Sequence, residues 1–226
     1  MRHPLLHDIR VAPSILAANF ACLGDQVEAV MDEGARVIHV DVMDGHFVPP
    51  ISIGAMIVDS LRDLVHTRDG VLDVHLMVER PERRVEEFAE AGAGTLIVHW
   101  EATPHVHYAL KAVRDAGLHT GLAINPATPP EAVAGLAGMF DHLLCMTVNP
   151  GWGGQPYIET STAKVARLRE LLGPDTPIEV DGGIDADTAR ETAAAGATLF
   201  VAGSSIFGAE DPAAAYRDIA AAAGAV

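Results

Sequence analysis

Three times along the chain a helix-patterned stretch stops at an Ala-Gly-Ala or Glu-Gly-Ala signal and runs straight into a short apolar strand. Glu33-Gly34-Ala35 precedes Val37–Val42, Ala91-Gly92-Ala93 precedes Thr95–Val98, and Ala195-Gly196-Ala197 precedes Thr198–Ala202. Glycine at such a place suits the left-handed stop of a helix, and a β-branched run directly after it suits a strand buried on both faces. Strand-type segments recur at Val11–Leu16, Val37–Val42, Leu72–Met77, Thr95–Val98, Thr120–Ile124, His142–Val148, Pro177–Val180 and Thr198–Ala202. Helix-patterned segments such as Arg83–Ala91, Ala163–Leu172 and Ala186–Ala195 separate them. Eight alternations in 226 residues fit a closed (β/α)8 barrel, the TIM barrel, with residues 1–226 as one domain. An open doubly wound sheet competes with it, but no G-x-G-x-x-G follows the first strand.

Composition narrows the classes further. Hydrophobic residues at 49% against 20% charged supply a sizeable core and exclude disorder and coiled coil. The formal charge of −16, from 15 Lys+Arg and 31 Asp+Glu, with no basic run, argues against nucleic acid and anionic membranes as partners. Cys22 and Cys145 are too few for a disulfide framework, so both are expected as small core residues in a reducing compartment, the cytoplasm. Met1–Arg10 lacks the apolar stretch of a secretory signal, and export is not expected. Thr192–Ala209 is free of charge, but its glycines and serines divide it into helix end, strand and loop rather than a membrane span. The Ala-rich stretch from Ala220 to Val226 reads as a fraying helix end.

In such a barrel the chemistry lies at the C-terminal ends of the strands. Side chains alternate along a strand, so His39, Asp41 and Met43 share one face while Ile38, Val40 and Val42 pack outward. Asp73, His75 and Met77 repeat the device, and the seventh strand ends in Glu179-Val180-Asp181-Gly182-Gly183. Singly, His39 and His75 are explained as satisfied core histidines, and Asp41 and Asp181 as loop caps. Four ionisable groups at one rim need pairing or a cation, and two His with two Asp suit Zn²⁺, Fe²⁺, Mn²⁺ or Co²⁺ alike. Met43, Met77 and Met146 are either core filling or a thioether roof that excludes water from the site.

Glycines recur in three consecutive strand-to-helix loops: Asn149-Pro150-Gly151-Trp152-Gly153-Gly154-Gln155, Gly182-Gly183, and Gly203-Ser204-Ser205. None holds Lys or Arg, so an anion there would be bound by backbone N–H groups. His99-x-Glu101 and His105-x-His107 have ligand-like spacing but carry less weight. The second pair follows Pro104 at a helix start and is expected in solvent.

Taken in order, Ala12-Pro13-Ser14-Ile15-Leu16, the run from His39 to Pro49, Asp73-Val74-His75-Leu76-Met77-Val78, Asn125-Pro126-Ala127-Thr128-Pro129, the loop from Asn149 to Gln155, and Val180-Asp181-Gly182-Gly183-Ile184 resemble the ribulose-phosphate 3-epimerase family over nearly the whole chain. The resemblance implies a TIM barrel that interconverts D-ribulose 5-phosphate and D-xylulose 5-phosphate with one divalent metal ion per chain, in carbohydrate metabolism. It implies His39, Asp41, His75 and Asp181 as metal ligands, and Asp41 and Asp181 as the acid/base pair acting through a metal-stabilised enediolate. Ser14, His75, Gly151, Trp152, Gly153, Gly154, Gly182, Gly183, Gly203 and Ser204 are implied as substrate contacts. The expected partner is a small sugar phosphate, and the expected assembly a homo-oligomer. Trp152 stands where the family usually has Phe, and Pro50 where it usually has Asn. A hexulose 6-phosphate epimerase, or a non-catalytic sugar-phosphate-binding protein, are the alternative readings.

Overall fold

The computed structural model describes residues 7–225; the readings made for the first six residues and for Val226 lie outside them. Eight parallel strands follow one another around a barrel: β1 (Arg10–Pro13), β2 (Val37–Met43), β3 (Val71–Met77), β4 (Thr95–His99), β5 (His119–Ile124), β6 (His142–Met146), β7 (Ile178–Asp181) and β8 (Leu199–Ala202). Neighbours pair in sequence order, β8 pairs with β1, and a single bridge between Ser14 and His39 brings β1 against β2.

The connecting helices are α1 (Leu23–Asp32), α2 (Ala55–His66), α3 (Val85–Glu90), α4 (Val106–Asp115), α5 (Thr160–Leu172), α6 (Ala186–Ala194), α7 (Ser204–Phe207) and α8 (Pro212–Ala223). Between β5 and β6 the crossover is a 3-10 helix, Pro130–Leu136, entered through consecutive prolines. The repeated stop signal behaves as expected: Gly34, Gly92 and Gly196 all have positive φ. The C-terminal helix ends at a left-handed Gly224. Among the described residues no helix is long and apolar enough to cross a membrane.

Two strands end more than one residue short of expectation. β1 stops at Pro13, because Ser14 turns its hydroxyl onto the N–H of Leu16 and caps a 3-10 turn over Ile15–Ala17. β6 stops at Met146, two residues before Val148. Cys22 is also corrected: it lies half-buried at the start of α1 rather than in the core, whereas Cys145 is buried, and both are free.

Outward-facing strand residues such as Ile38, Val40, Leu72, Leu96 and Phe200 join the helices in the main core. The barrel interior is layered. Ala12, Val37, Val71, Leu199 and Val201 form an apolar cluster within it, and the paired register sets Asp73 beside His39, His75 beside Asp41 and Met77 beside Met43. Two polar rungs therefore lie between apolar ones. Burying ionised side chains costs several kcal/mol each unless they are paired, so these rungs must be explained by their partners.

Candidate active site

The lower polar rung holds His39, Asp73, Thr95, His142 and Glu179, all fully buried. His39 Nδ1 donates to Asp73 Oδ2 at 2.7 Å, and Asp73 also accepts from the Thr95 hydroxyl. Glu179 Oε2 lies 3.3 Å from His142 Nε2, and its other oxygen 3.5 Å from His39 Nδ1. Gly121 makes room for His142: a Cβ there would sit 2.7 Å from the imidazole Cε1. Burial opposes the ionisation of Glu179, but the nearby His142 and His39 imidazoles outweigh it and bring its pKa down to about 2. Burial and the charge of Glu179 push the Asp73 carboxyl up. His142 escaped sequence reasoning, although its parity with Leu144 and Met146 would have placed it inside.

The upper rung carries the candidate ligands. Among the described residues His39 Nε2 has no hydrogen-bond partner, and it lies 3.3 Å from Asp41 Oδ1. His75 Nδ1 lies 2.9 Å from the same oxygen and 3.7 Å from Asp181 Oδ2. One donor atom from each of His39, Asp41, His75 and Asp181 falls within 4.8 Å of all the others. An orphaned, buried imidazole nitrogen aimed among two carboxylates and a second imidazole is what a divalent cation requires, so these residues fit one. Ser14 donates to Asp41 Oδ2 at 2.6 Å.

The two aspartates are driven apart. Burial disfavours the Asp41 anion, yet the charge and proximity of the His39 and His75 imidazoles hold its carboxyl well below the usual range. Burial and the neighbouring Asp41 charge raise the Asp181 carboxyl well above it. Burial would lower His39, but Asp41, Asp73 and Glu179 together lift it. In His75 burial prevails and its pKa is lowered.

Above this rung opens a cavity of about 300 Å³, large enough for a small phosphorylated sugar. Asp41 and Asp181 reach its wall, as do Ser14, Met43, Met77 and Met146, Gly151 to Gly154, Gly182, Gly183, Gly203 and Ser204. Among the described residues the lining holds no Lys or Arg. His39 and His75 are not on it, so His75, expected to touch substrate as well as cation, stands behind the two aspartates. Gln155 fastens the sixth loop by donating to the carbonyls of Asn149 (2.6 Å) and Trp152 (2.9 Å). Gly183 sits at φ +66°, with the Tyr157 backbone nitrogen 2.6 Å from where a Cβ would be. Trp152 is exposed on the loop, and the Pro50 carbonyl accepts from the Gly45 N–H.

Two further groups hold the rim. Asp44 accepts from the N–H groups of His46, Phe47 and Glu79, which ties the second loop to the third. His99, set aside on spacing, touches His75, while His105 and His107 are exposed as expected.

Fold and site together define a (β/α)8-barrel enzyme with a buried His/Asp cluster that could hold a divalent ion, beneath a glycine-walled cavity. The model of the ribulose-phosphate 3-epimerase family matches residues 10–207. A ribulose-phosphate 3-epimerase of Rhodobacter capsulatus is 50% identical over 201 residues, which are 88% of this chain and 86% of that one. The enzyme of the same name from Bacillus subtilis is 44% identical over 93% of this chain and 98% of its own length. The chain belongs to the ribulose-phosphate 3-epimerase family. Among solved structures, a 3-hexulose-6-phosphate synthase from Salmonella typhimurium superposes with a TM-score of 0.73 at 16% identity over 95% of this chain and 98% of that one, a likeness of fold.

Proposed function

We propose that this chain, a single barrel domain, interconverts D-ribulose 5-phosphate and D-xylulose 5-phosphate, with Asp41 and Asp181 as the two proton-transfer groups. The observation that carries this reading is the pair itself: two carboxyls from distant strands, on one cavity wall, with proton affinities pushed in opposite directions. Inverting a carbon beside a ketone means removing its proton on one face and returning one on the other. Asp41, whose carboxyl is held low, accepts the proton; Asp181, whose carboxyl is held high, delivers one to the opposite face, and the roles exchange in reverse. The hydrogen bond from Ser14 holds Asp41 Oδ2 and thereby fixes the orientation of the carboxylate.

His39, Asp41, His75 and Asp181 would hold one divalent cation, Zn²⁺, Fe²⁺, Mn²⁺ or Co²⁺. When bound it would supply Lewis-acid stabilisation of the negative charge that develops on the sugar oxygens. Met43, Met77 and Met146 keep water from the reacting carbon, which strengthens each charge interaction there. The phosphate rests on backbone N–H groups of the loops from Gly151 to Gly154, Gly182 to Gly183 and Gly203 to Ser204. We place the enzyme in the cytoplasm, where its free cysteines stay reduced, and as a homo-oligomer, which suits the exposed Ile51 and Met56.

The test is turnover of D-ribulose 5-phosphate by purified protein before and after exhaustive chelation. Epimerisation that disappears with the cation and returns on its addition supports the reading. Preference for a hexulose 6-phosphate would move the substrate to the six-carbon class, and equal turnover of the unphosphorylated ketopentose would remove the phosphate site.

A further inference from the structure

The pair His99-x-Glu101 lies outside the donor set but is wired to it. His75 turns Nδ1 toward Asp41 and Asp181 and Nε2 toward Nε2 of His99, at 2.8 Å. Two ring nitrogens at that distance share one hydrogen, so one donates and the other accepts. Beyond, His99 Nδ1 lies 3.3 Å from Glu101 Oε2. The other oxygen, Oε1, accepts from the Asn125 N–H at 2.8 Å and from the Thr128 hydroxyl, both just past the end of β5. The Phe47 ring stands 4.9 Å from that of His99, and both imidazoles are fully buried.

We propose that Glu101 is a positioning residue of the cation site, acting through His99 to keep the Nδ1 lone pair of His75 free for ligation. The inference rests on the cation reading above. Ligation through Nδ1 puts the hydrogen of His75 on Nε2, from which it is donated to His99 Nε2. His99 must then carry its own hydrogen on Nδ1, and Glu101 Oε2 accepts it. Reversing one ring sets two lone pairs or two hydrogens face to face; reversing both turns an N–H on the cation. The order of hydrogens is thus dictated from a carboxylate anchored on the fifth loop, inward through two rings. His39 is set directly, since its Nδ1 donates to Asp73 and leaves Nε2 for the cation. The two histidines therefore ligate through different nitrogens.

Glu101→Gln tests this with zinc as the probe. The Asn125 N–H, a fixed donor, claims the amide oxygen and turns the NH2 toward His99 Nδ1, which reverses the ring. Competition against a chromophoric chelator should show zinc binding weakened by roughly 10–100-fold, the range for losing a group that orients a ligand. Nitrogen-15 NMR of the zinc-loaded wild-type protein should show His75 as Nε2–H and His99 as Nδ1–H. Thr128→Val, which removes one anchor but leaves the carboxylate on His99, should keep zinc affinity near wild type. Wild-type affinity in Glu101→Gln, an Nε2–H form of His99, or equal losses in both variants would overturn the inference while the cation reading stands. Failure of the wild-type protein to take up zinc would refute the cation reading and this inference with it.

Discussion

Asp181→Asn separates the two halves of the reaction. The change keeps side-chain volume, and the side chain's nearest ionic contact is a long one, 3.7 Å to His75. Its backbone carbonyl still accepts from Thr147 at 2.8 Å, so the strand end stays in place. Asp41 keeps its bond from Ser14 at 2.6 Å, and His75 Nδ1 stays 2.9 Å from its other oxygen. What is lost at saturating cation is one positioned acid/base, about 10²–10⁴-fold in turnover, or about 3–5 kcal/mol of barrier. Proton removal by Asp41 survives on its own face. In deuterated water, proton NMR should therefore show slow loss of the C3 hydrogen from one epimer and not the other, while a coupled assay shows epimerisation nearly gone. Asp41→Asn should show the opposite preference. Cation content is measured in both, because each change also removes a ligand. If cation-replete forms of both variants epimerised near the wild-type rate, the assignment of two opposed bases would be wrong.

Elemental analysis should find about one divalent ion per chain, since four donors form one site. Uptake near pH 7 should release a proton, because burial of His39 is outweighed by Asp41, Asp73 and Glu179, which raise its pKa. Affinity should then climb with pH up to that raised value, as read by calorimetry in buffers of different ionisation enthalpy. Burial outweighs the Glu101 pairing at His99 and lowers its pKa from 6.5 to about 4. The unfolded chain thus binds more protons between those values, and the metal-free protein should lose about 2 kcal/mol from this residue between pH 7 and pH 5. Denaturant midpoints in which His99→Gln shows the same slope as wild type would count against that. For the phosphate, Gly153→Val should raise KM roughly 10–100-fold, the cost of losing a hydrogen bond to a charged group. A Cβ at Gly153 meets nothing within 4 Å, whereas one at Gly183 would collide with the Tyr157 backbone and confound folding with binding. Lys164, which donates to the Asn125 and Pro126 carbonyls, should be replaceable with little change in KM.

Strand number, the glycine helix stops and the inward faces of β2, β3 and β7 were legible in the chain because they depend on short-range periods. Alternation along a strand puts His39 with Asp41, and Asp73 with His75, whatever the rest of the fold does. Cap chemistry shifted the ends: the Ser14 hydroxyl ended β1 early, a competition between strand and turn that an apolar run does not display. Likeness to a family supplied roles for Ser14 and the glycine loops that parity alone leaves open. Only the closed barrel decided which rung meets which. Stagger between neighbouring strands brings His142 to Glu179 and His99 to His75, although these residues are 37 and 24 positions apart. The choice of nitrogen on each imidazole follows from those partners. It is a long-range property because a ring's hydrogen goes wherever an acceptor stands, and the acceptors here, Asp73 and Glu101, are set opposite the rings by strand register and loop anchoring.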